Sequence, residues 1–286
     1  MLRKGEAVKI LAPAKVNLFL EIRAKRKDGF HEIRSLIQPV SLFDTLRIQV
    51  EENGPTLQCP GHPELENESN LVIQAVRLLE RELGRPLPLS ILLEKKIPQG
   101  AGLGGGSSDA AAALEGIHCL LGCPLPSDRI RRLAERLGSD VPFFLARSTA
   151  LVTGRGEKIS PWPHFPKYWY VLIFPGFSVS TAWAYSQIKL PLTGGKKSII
   201  LKRLKEKGLG PEKDRLRNDL ERAVIPVYPE IEEMKAALHA QGCLAALMSG
   251  SGSAVFGVWE EERPARKAWK RLKQEPGWKI FLARGL

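Results

Sequence analysis

Hydrophobic positions recur along the chain with two different periods. Val16, Leu18, Leu20 and Ile22 alternate with Asn17, Phe19 and Glu21. This period of two predicts a half-buried strand, with Lys15 and Asn17 sharing its other face. Residues 45–50 and 87–97 alternate in the same way among β-branched side chains and predict further strands. Helical spacing takes over at Leu71, Val72, Ala75, Leu78, Leu79 and Leu83. Ser69 or Asn70 can cap that helix, and Gly84 and Pro86 close it. A second helix is predicted over 107–121, stopped by Gly122 and Pro124. A third starts at Ser127, places Ile130, Leu133, Ala134 and Leu137 on one face, and ends at Gly138.

Pro161, Pro163 and Pro166 crowd a short connector before an apolar strand at 168–174. Beyond it the mixture repeats, with helices around 231–238 and 265–272 and strands at 244–248, 254–259 and 280–283. The expectation is an α+β protein of two domains, 1–160 and 161–286, because 286 residues exceed one ordinary compact core.

Composition narrows the class of function. With 43% hydrophobic and 26% charged residues the chain is ordinarily globular. No run approaches the roughly 18 apolar residues of a membrane span. Residues 1–15 show no signal-peptide pattern, so a cytoplasmic location is expected. Cys59, Cys119, Cys123 and Cys243 form no C-x-x-C pair, and the C-x-x-H spacing of Cys59 and His62 has no second pair for zinc. The net charge of +12 suits RNA, a membrane surface or a phosphorylated substrate. The basic stretches 23–27, 196–217 and 263–273 lie far apart, and two mix with apolar residues as a solvated helix face does.

The strongest local signal runs from Pro98 to Asp109, where five glycines fall within residues 100–106 between a strand pattern and an alanine-rich helix. Without Cβ atoms, backbone N–H groups approach an anion closely, and the helix N-terminus adds about half a positive charge. Ser107 and Ser108 can cap the helix or donate to phosphate. No lysine follows the glycines as in a Walker loop, so a lysine must come from elsewhere. Gly100, Gly102 and Gly105 satisfy G-x-G-x-x-G, but Glu115 is too early and Asp128 too late for the acid of a dinucleotide site. A structural turn is the plain alternative, and nucleotide phosphates fit best. Asp140, just past a helix end and before an apolar stretch, is either a cap or a catalytic group. Met248–Ser253 is either a plain hairpin or a loop whose backbone meets a ligand.

Together these residues resemble the GHMP family of small-molecule kinases. Residues 12–18 look like its first motif, 98–109 like its second and 247–253 like its third. The stretches 28–32, 69–71, 104–109, 138–144, 154–157 and 218–221 are similar to one branch of that family, except that Phe30 stands where Tyr is the commoner residue. The resemblance implies a two-domain fold, with an N-terminal βαβ domain like domain 2 of ribosomal protein S5 and a C-terminal ferredoxin-like domain. It implies transfer of the γ-phosphoryl of ATP, with Mg²⁺, to the 2-hydroxyl of 4-diphosphocytidyl-2-C-methyl-D-erythritol, in isoprenoid precursor synthesis.

By the same resemblance Asp140 is the general base and Lys15 its cationic companion. Pro98, Gly100, Ala101, Gly102, Leu103, Gly104, Gly105, Gly106, Ser107 and Ser108 surround ATP. Asn70 faces the adenine, although capping its helix explains it equally well. Asn17, Phe30, His31, Asp140, Tyr185, Gly250, Ser251 and Gly252 are assigned to the substrate, with the cytosine between Phe30 and Tyr185. Ser108, Asp109 and water are all open as Mg²⁺ ligands. A monomer or weak homodimer is expected, with no nucleic-acid or membrane partner. The rival readings are another kinase of the family, acting on homoserine, mevalonate or a sugar, and an RNA-binding protein.

Overall fold

The structure, a computed structural model, describes residues 4–188, 203–204, 208–211 and 216–286. Most of the basic stretch 196–217 therefore lies outside the described residues. Two long strands open the chain, β1 (Ala7–Lys25) and β2 (His31–Val50), and they pair with each other. The half-buried strand expected at 16–22 is instead buried on both faces, since Val16, Asn17, Leu18 and Phe19 are each at most 3% exposed. Alternation misleads there because protein partners, rather than water, cover the polar position. β2 begins well before residue 45. Arg34, Ser35 and Gln38 interrupt its apolar pattern, yet all three are buried.

Contacts divide the chain into two compact units, each built from separate stretches. One comprises Met1–Ala14, Phe43–Ile97 and Gly104–Arg147; the other comprises Lys15–Leu42, Pro98–Leu103 and Ser148–Leu286. A cut at 160/161 follows the order of the chain, whereas compactness follows contacts. Lys15 N–H donates to the Leu103 carbonyl at 2.9 Å and Ala254 N–H to the Ala101 carbonyl at 3.1 Å, which ties these early segments to the later half.

In the first unit, Thr45 through Val50 of β2 pair antiparallel with β4 (Leu89–Glu94), and β3 (Thr56–Gln58) adds to β4 in parallel. Four helices complete it: α1 (Leu71–Leu83), α2 (Gly105–Leu120), α3 (Ser127–Leu137) and α4 (Val141–Leu145). The side chain of Asn70 caps α1 by accepting from Val72 N–H at 2.9 Å, and Gly84 ends it in the left-handed region. α2 starts at Gly105, two residues before the expected Ser107. Its N-cap, Gly104, has a φ of 73°, and no side chain caps the helix, so the serines lie inside its first turn. Small residues let α2 approach its neighbours closely. A Cβ on Gly116 would come within 1.9 Å of Ile10 Cδ1.

In the second unit, Ile33 through Ile37 of β2 pair antiparallel with β5 (Ala150–Gly154), which pairs with β6 (Lys158–Pro161). A separate antiparallel sheet has the order β10 (Lys279–Arg284), β7 (Trp169–Phe174), β9 (Val255–Trp259), β8 (Ala246–Met248). Helices α5 (Thr181–Ser186), α6 (Glu221–Val224), α7 (Glu230–Ala240) and α8 (Glu262–Leu272) accompany it. Ile231, Met234 and Leu238 of α7 and Ala265, Ala268 and Leu272 of α8 share one core with Val171, Ile173 and Val255. The result is an α+β fold, as the alternating periods predicted.

The same unit buries a polar network. The Tyr170 hydroxyl donates to Gln38 Oε1, and Gln38 Nε2 donates to Thr149 Oγ1 at 2.9 Å and to the Pro166 carbonyl at 3.1 Å. Tyr170→Phe would leave Gln38 Oε1 buried without its donor, which is expected to cost about 1–3 kcal/mol in chemical denaturation. An unfolding midpoint equal to the parent's would show that the network contributes nothing.

Candidate active site

Lys15 is 4% exposed in the middle of β1, and a buried ammonium needs oxygen partners. Its Nζ donates to Asn17 Oδ1 at 2.6 Å, Asn17 Nδ2 donates to Ser35 Oγ at 2.8 Å, and Ser35 Oγ donates to the Phe19 carbonyl at 2.7 Å. The strand period does put Lys15 and Asn17 on one side, as expected. Asn17 spends both of its polar atoms inside the protein and thereby orients the lysine.

The loop between β8 and β9 comes up against this lysine. A Cβ on Gly250 would lie 3.0 Å from Lys15 Nζ, and Gly250 has a φ of 55°. Met248–Ser253 is thus a hairpin connection and a close backbone approach at once. The loop is held from beneath. Asn218 Nδ2 donates to the carbonyls of Met248 at 2.8 Å and Gly250 at 2.7 Å, and Glu221 Oε1 accepts from Met248 N–H at 2.7 Å. The Thr181 and Ser251 hydroxyls lie 2.9 Å apart, and the Ser253 hydroxyl donates to the Phe177 carbonyl.

Residues 98–103 interlock with that loop. Ser249 Oγ donates to the Gly102 carbonyl at 3.1 Å. Gly102 has a φ of 74°, and a Cβ there would sit 1.9 Å from the Ser249 carbonyl oxygen. Glycine is required at this position by conformation and by space together.

The anion end of the glycine run belongs to the first unit. Gly104, Gly105, Gly106, Ser107 and Ser108 form the cap and first turn of α2, where the first N–H groups of a helix have no partner within it. Ser108 Oγ and Asp109 Oδ1 are buried there without a hydrogen-bond partner. Asp109 Oδ2 accepts from Lys95 Nζ at 2.6 Å, and Lys95 Nζ also donates to Asp44 Oδ2 at 2.5 Å. Burial pushes the Asp109 carboxyl up to about 7; the Lys95 charge pulls against this and the neighbouring Asp44 carboxylate adds to it. Two carboxylates hold the Lys95 ammonium above its ordinary value despite its burial. Lys95 is a basic residue that no sequence motif singles out. It stands next to the glycine run in sequence, but its partner Asp44 lies 51 residues away, and no local pattern marks that pairing.

Asp140 is partly buried at the N-terminal end of α4, and its side chain makes no capping hydrogen bond. Asn70 does cap α1, and its Nδ2 donates to the Leu65 carbonyl at 2.9 Å. His31 and Tyr185 approach with ring centroids 5.3 Å apart, while the Phe30 ring, 48% exposed, lies under the Arg155 guanidinium at 5.1 Å. Desolvation, and after it the charge of Lys25, lowers the pKa of His31. Among the described residues no group of three or more His, Cys, Asp or Glu is gathered for a metal ion, and no helix is long and apolar enough to cross a membrane.

The model of the GHMP kinases N terminal domain matches residues 70–148, and that of the GHMP kinases C terminal domain matches 201–277. The chain belongs to the GHMP kinases, and it is a phosphotransferase that takes ATP and a small molecule as substrates. Its relatives include a 4-diphosphocytidyl-2-C-methyl-D-erythritol kinase of Syntrophus aciditrophicus, 39% identical over 285 residues, covering 98% of this chain and 99% of that one. The protein of the same name from Syntrophotalea carbinolica is 40% identical, covering 95% and 96%. A crystal structure of 4-(cytidine 5'-diphospho)-2C-methyl-D-erythritol kinase superposes with a TM-score of 0.84 at 36% identity, covering 97% and 99%. A homoserine kinase from Cytophaga hutchinsonii shares the fold, with a TM-score of 0.67 at 19% identity over 100% of this chain and 96% of that one.

Gly102→Ala is expected to lower stability by about 1–3 kcal/mol, because the new methyl group meets backbone that cannot rotate away. Denaturant melts check this, and an unchanged midpoint would show that the two loops are not locked at this point.

Proposed function

We propose that this protein phosphorylates the 2-hydroxyl of 4-diphosphocytidyl-2-C-methyl-D-erythritol with ATP, giving the 2-phosphate and ADP. The observation that carries the proposal is the buried Lys15, aimed by Asn17 and lying 3.0 Å from where a side chain on Gly250 would begin. A fixed, buried cation suits an acceptor that gains negative charge as it reacts. The particular acceptor is supported by relatives of that name that match 95–98% of the chain. In this reading the family's two domains meet at 160/161, between the spans of the two family models. Its use of ATP supports a cytoplasmic location.

The proposal gives Asp140 the role of general base and Lys15 that of its cationic companion. A carboxylate is a far weaker base than an alkoxide, so the hydroxyl proton moves late, as the new P–O bond forms and the bond to ADP breaks. Lys15 then steadies the charge on the acceptor oxygen. The glycine run and the first turn of α2 hold the ATP phosphates through backbone N–H groups, with Asn70 beside the adenine. Mg²⁺ fits this site. Ser108 Oγ and Asp109 Oδ1 are hard oxygen donors, buried and unpartnered, and they would hold it. When bound, the ion neutralises charge on the β- and γ-phosphate oxygens. Gly250, Ser251 and Gly252 line the substrate's phosphates. Phe30 and Tyr185 offer faces to the cytosine, and neutral His31 offers its edge one donor and one acceptor.

Asp140→Asn is expected to lower turnover by roughly 100-fold or more, with Mg-ATP affinity nearly unchanged. Near-normal turnover would remove Asp140 from the chemistry. When candidate alcohols are offered with Mg-ATP, the cytidylyl-erythritol should be the one consumed, and preferred turnover of homoserine or mevalonate would overturn the assignment. Because the His31 pKa is lowered, its neutral ring persists to lower pH than usual. KM for the acceptor should therefore stay flat as pH falls to about 6.5 and rise only below it. A rise already evident between about pH 8 and 7 would mean that another group controls binding.

A further inference from the structure

Three buried ionisable side chains meet at the first turn of α2. Lys95 Nζ lies 2.5 Å from Asp44 Oδ2 and 2.6 Å from Asp109 Oδ2, and the three side chains are 5%, 0% and 3% exposed. Asp44 also uses its other oxygen, Oδ1, to accept from the backbone N–H groups of Lys96 at 2.5 Å and Ile97 at 2.8 Å. One carboxylate of β2 therefore grips the chain just after β4, at its backbone and at its lysine. The lysine in turn grips the helix that begins at Gly105. A Cβ on Gly105 would stand 3.3 Å from Lys95 Nζ, so the ammonium lies directly against that turn.

We propose that Lys95 is a positioning residue of the nucleotide loop. Clasped between Asp44 and Asp109, it sets the first turn of α2, and its charge is spent on two carboxylates rather than on the nucleotide. This rests on the reading of the α2 N-terminus as the ATP site. A lysine beside a glycine-rich phosphate loop is ordinarily expected to contact phosphate, and freeing the lysine separates the two roles. If Lys95 were a phosphate ligand, removing Asp44 would release it toward the nucleotide and tighten binding. If it acts through Asp109, cutting either end of the bridge loosens the same turn, and the two cuts do not add.

The test uses Lys95→Met, which keeps length and removes charge, and the isosteric Asp44→Asn, alone and combined. Binding of a non-hydrolysable Mg-ATP analogue is measured by calorimetry, and hydrogen exchange of residues 105–112 is measured in the free proteins. Lys95→Met should weaken binding by about tenfold or more and Asp44→Asn by about three- to tenfold, with the double variant no worse than the weaker binder. KM for Mg-ATP should rise in step, with kcat at saturation within about threefold. Exchange at the first turn of α2 should quicken while the helical core of α1 stays protected.

Binding within about twofold of the parent in Lys95→Met, tighter binding in Asp44→Asn, or additive losses would overturn the proposal. If Lys95→Met does not fold, Asp44→Asn alone decides, through its direction. Failure of the parent to bind the analogue would sink the functional reading instead. The exchange result would then still decide whether Lys95 holds the turn.

Discussion

A positive charge survives in a protein interior only where oxygen atoms replace the water it has lost. Lys15 meets that condition within its own strand, through Asn17, and the chain from Asn17 to Ser35 to the Phe19 carbonyl keeps the asparagine from turning away. This constraint accounts for the polar pair Lys15 and Asn17 in a strand whose residues 16–19 are buried on both faces. It also explains why the Gly250 loop approaches so closely, since a side chain there would collide with the ammonium.

The two glycine-bearing loops of the second unit depend on one another through the same economy of space. Gly102 presses against the Ser249 carbonyl, Ser249 donates back to Gly102, and Asn218 holds the carbonyls of Met248 and Gly250 from the other side. In these hydrogen bonds side chains donate and loop carbonyls accept, which fixes the path of the backbone. A backbone fixed in this way has its polar groups in place before a ligand arrives.

Much of this was legible in the residues. The Asn70 cap, the Gly84 stop, the apolar stripe of α3 and the later strands follow from local chemistry, which acts over one or two turns of chain. The glycine run was legible for the same reason, since the absence of Cβ atoms is visible in the letters. The first half of β2 was not, because Arg34, Ser35 and Gln38 read as surface residues until their buried partners are known. The neighbours of the aromatic candidates were not legible either. Tyr185 meets His31, a residue from a different part of the chain, and the guanidinium over Phe30 belongs to Arg155.

The order of residues alone settled the α+β class, the strand that carries Lys15, the helix entry rich in glycine and the kinship with small-molecule kinases. These depend on period, on backbone freedom and on motifs that a linear chain displays openly. Folding in three dimensions chose which charges are paired. Lys95 reached Asp44 and Asp109, Asn218 reached the Gly250 loop, and Glu221 reached Met248. Electrostatic and hydrogen-bond energies fall off over a few ångströms, and separation along the chain does not reveal which side chains close that distance.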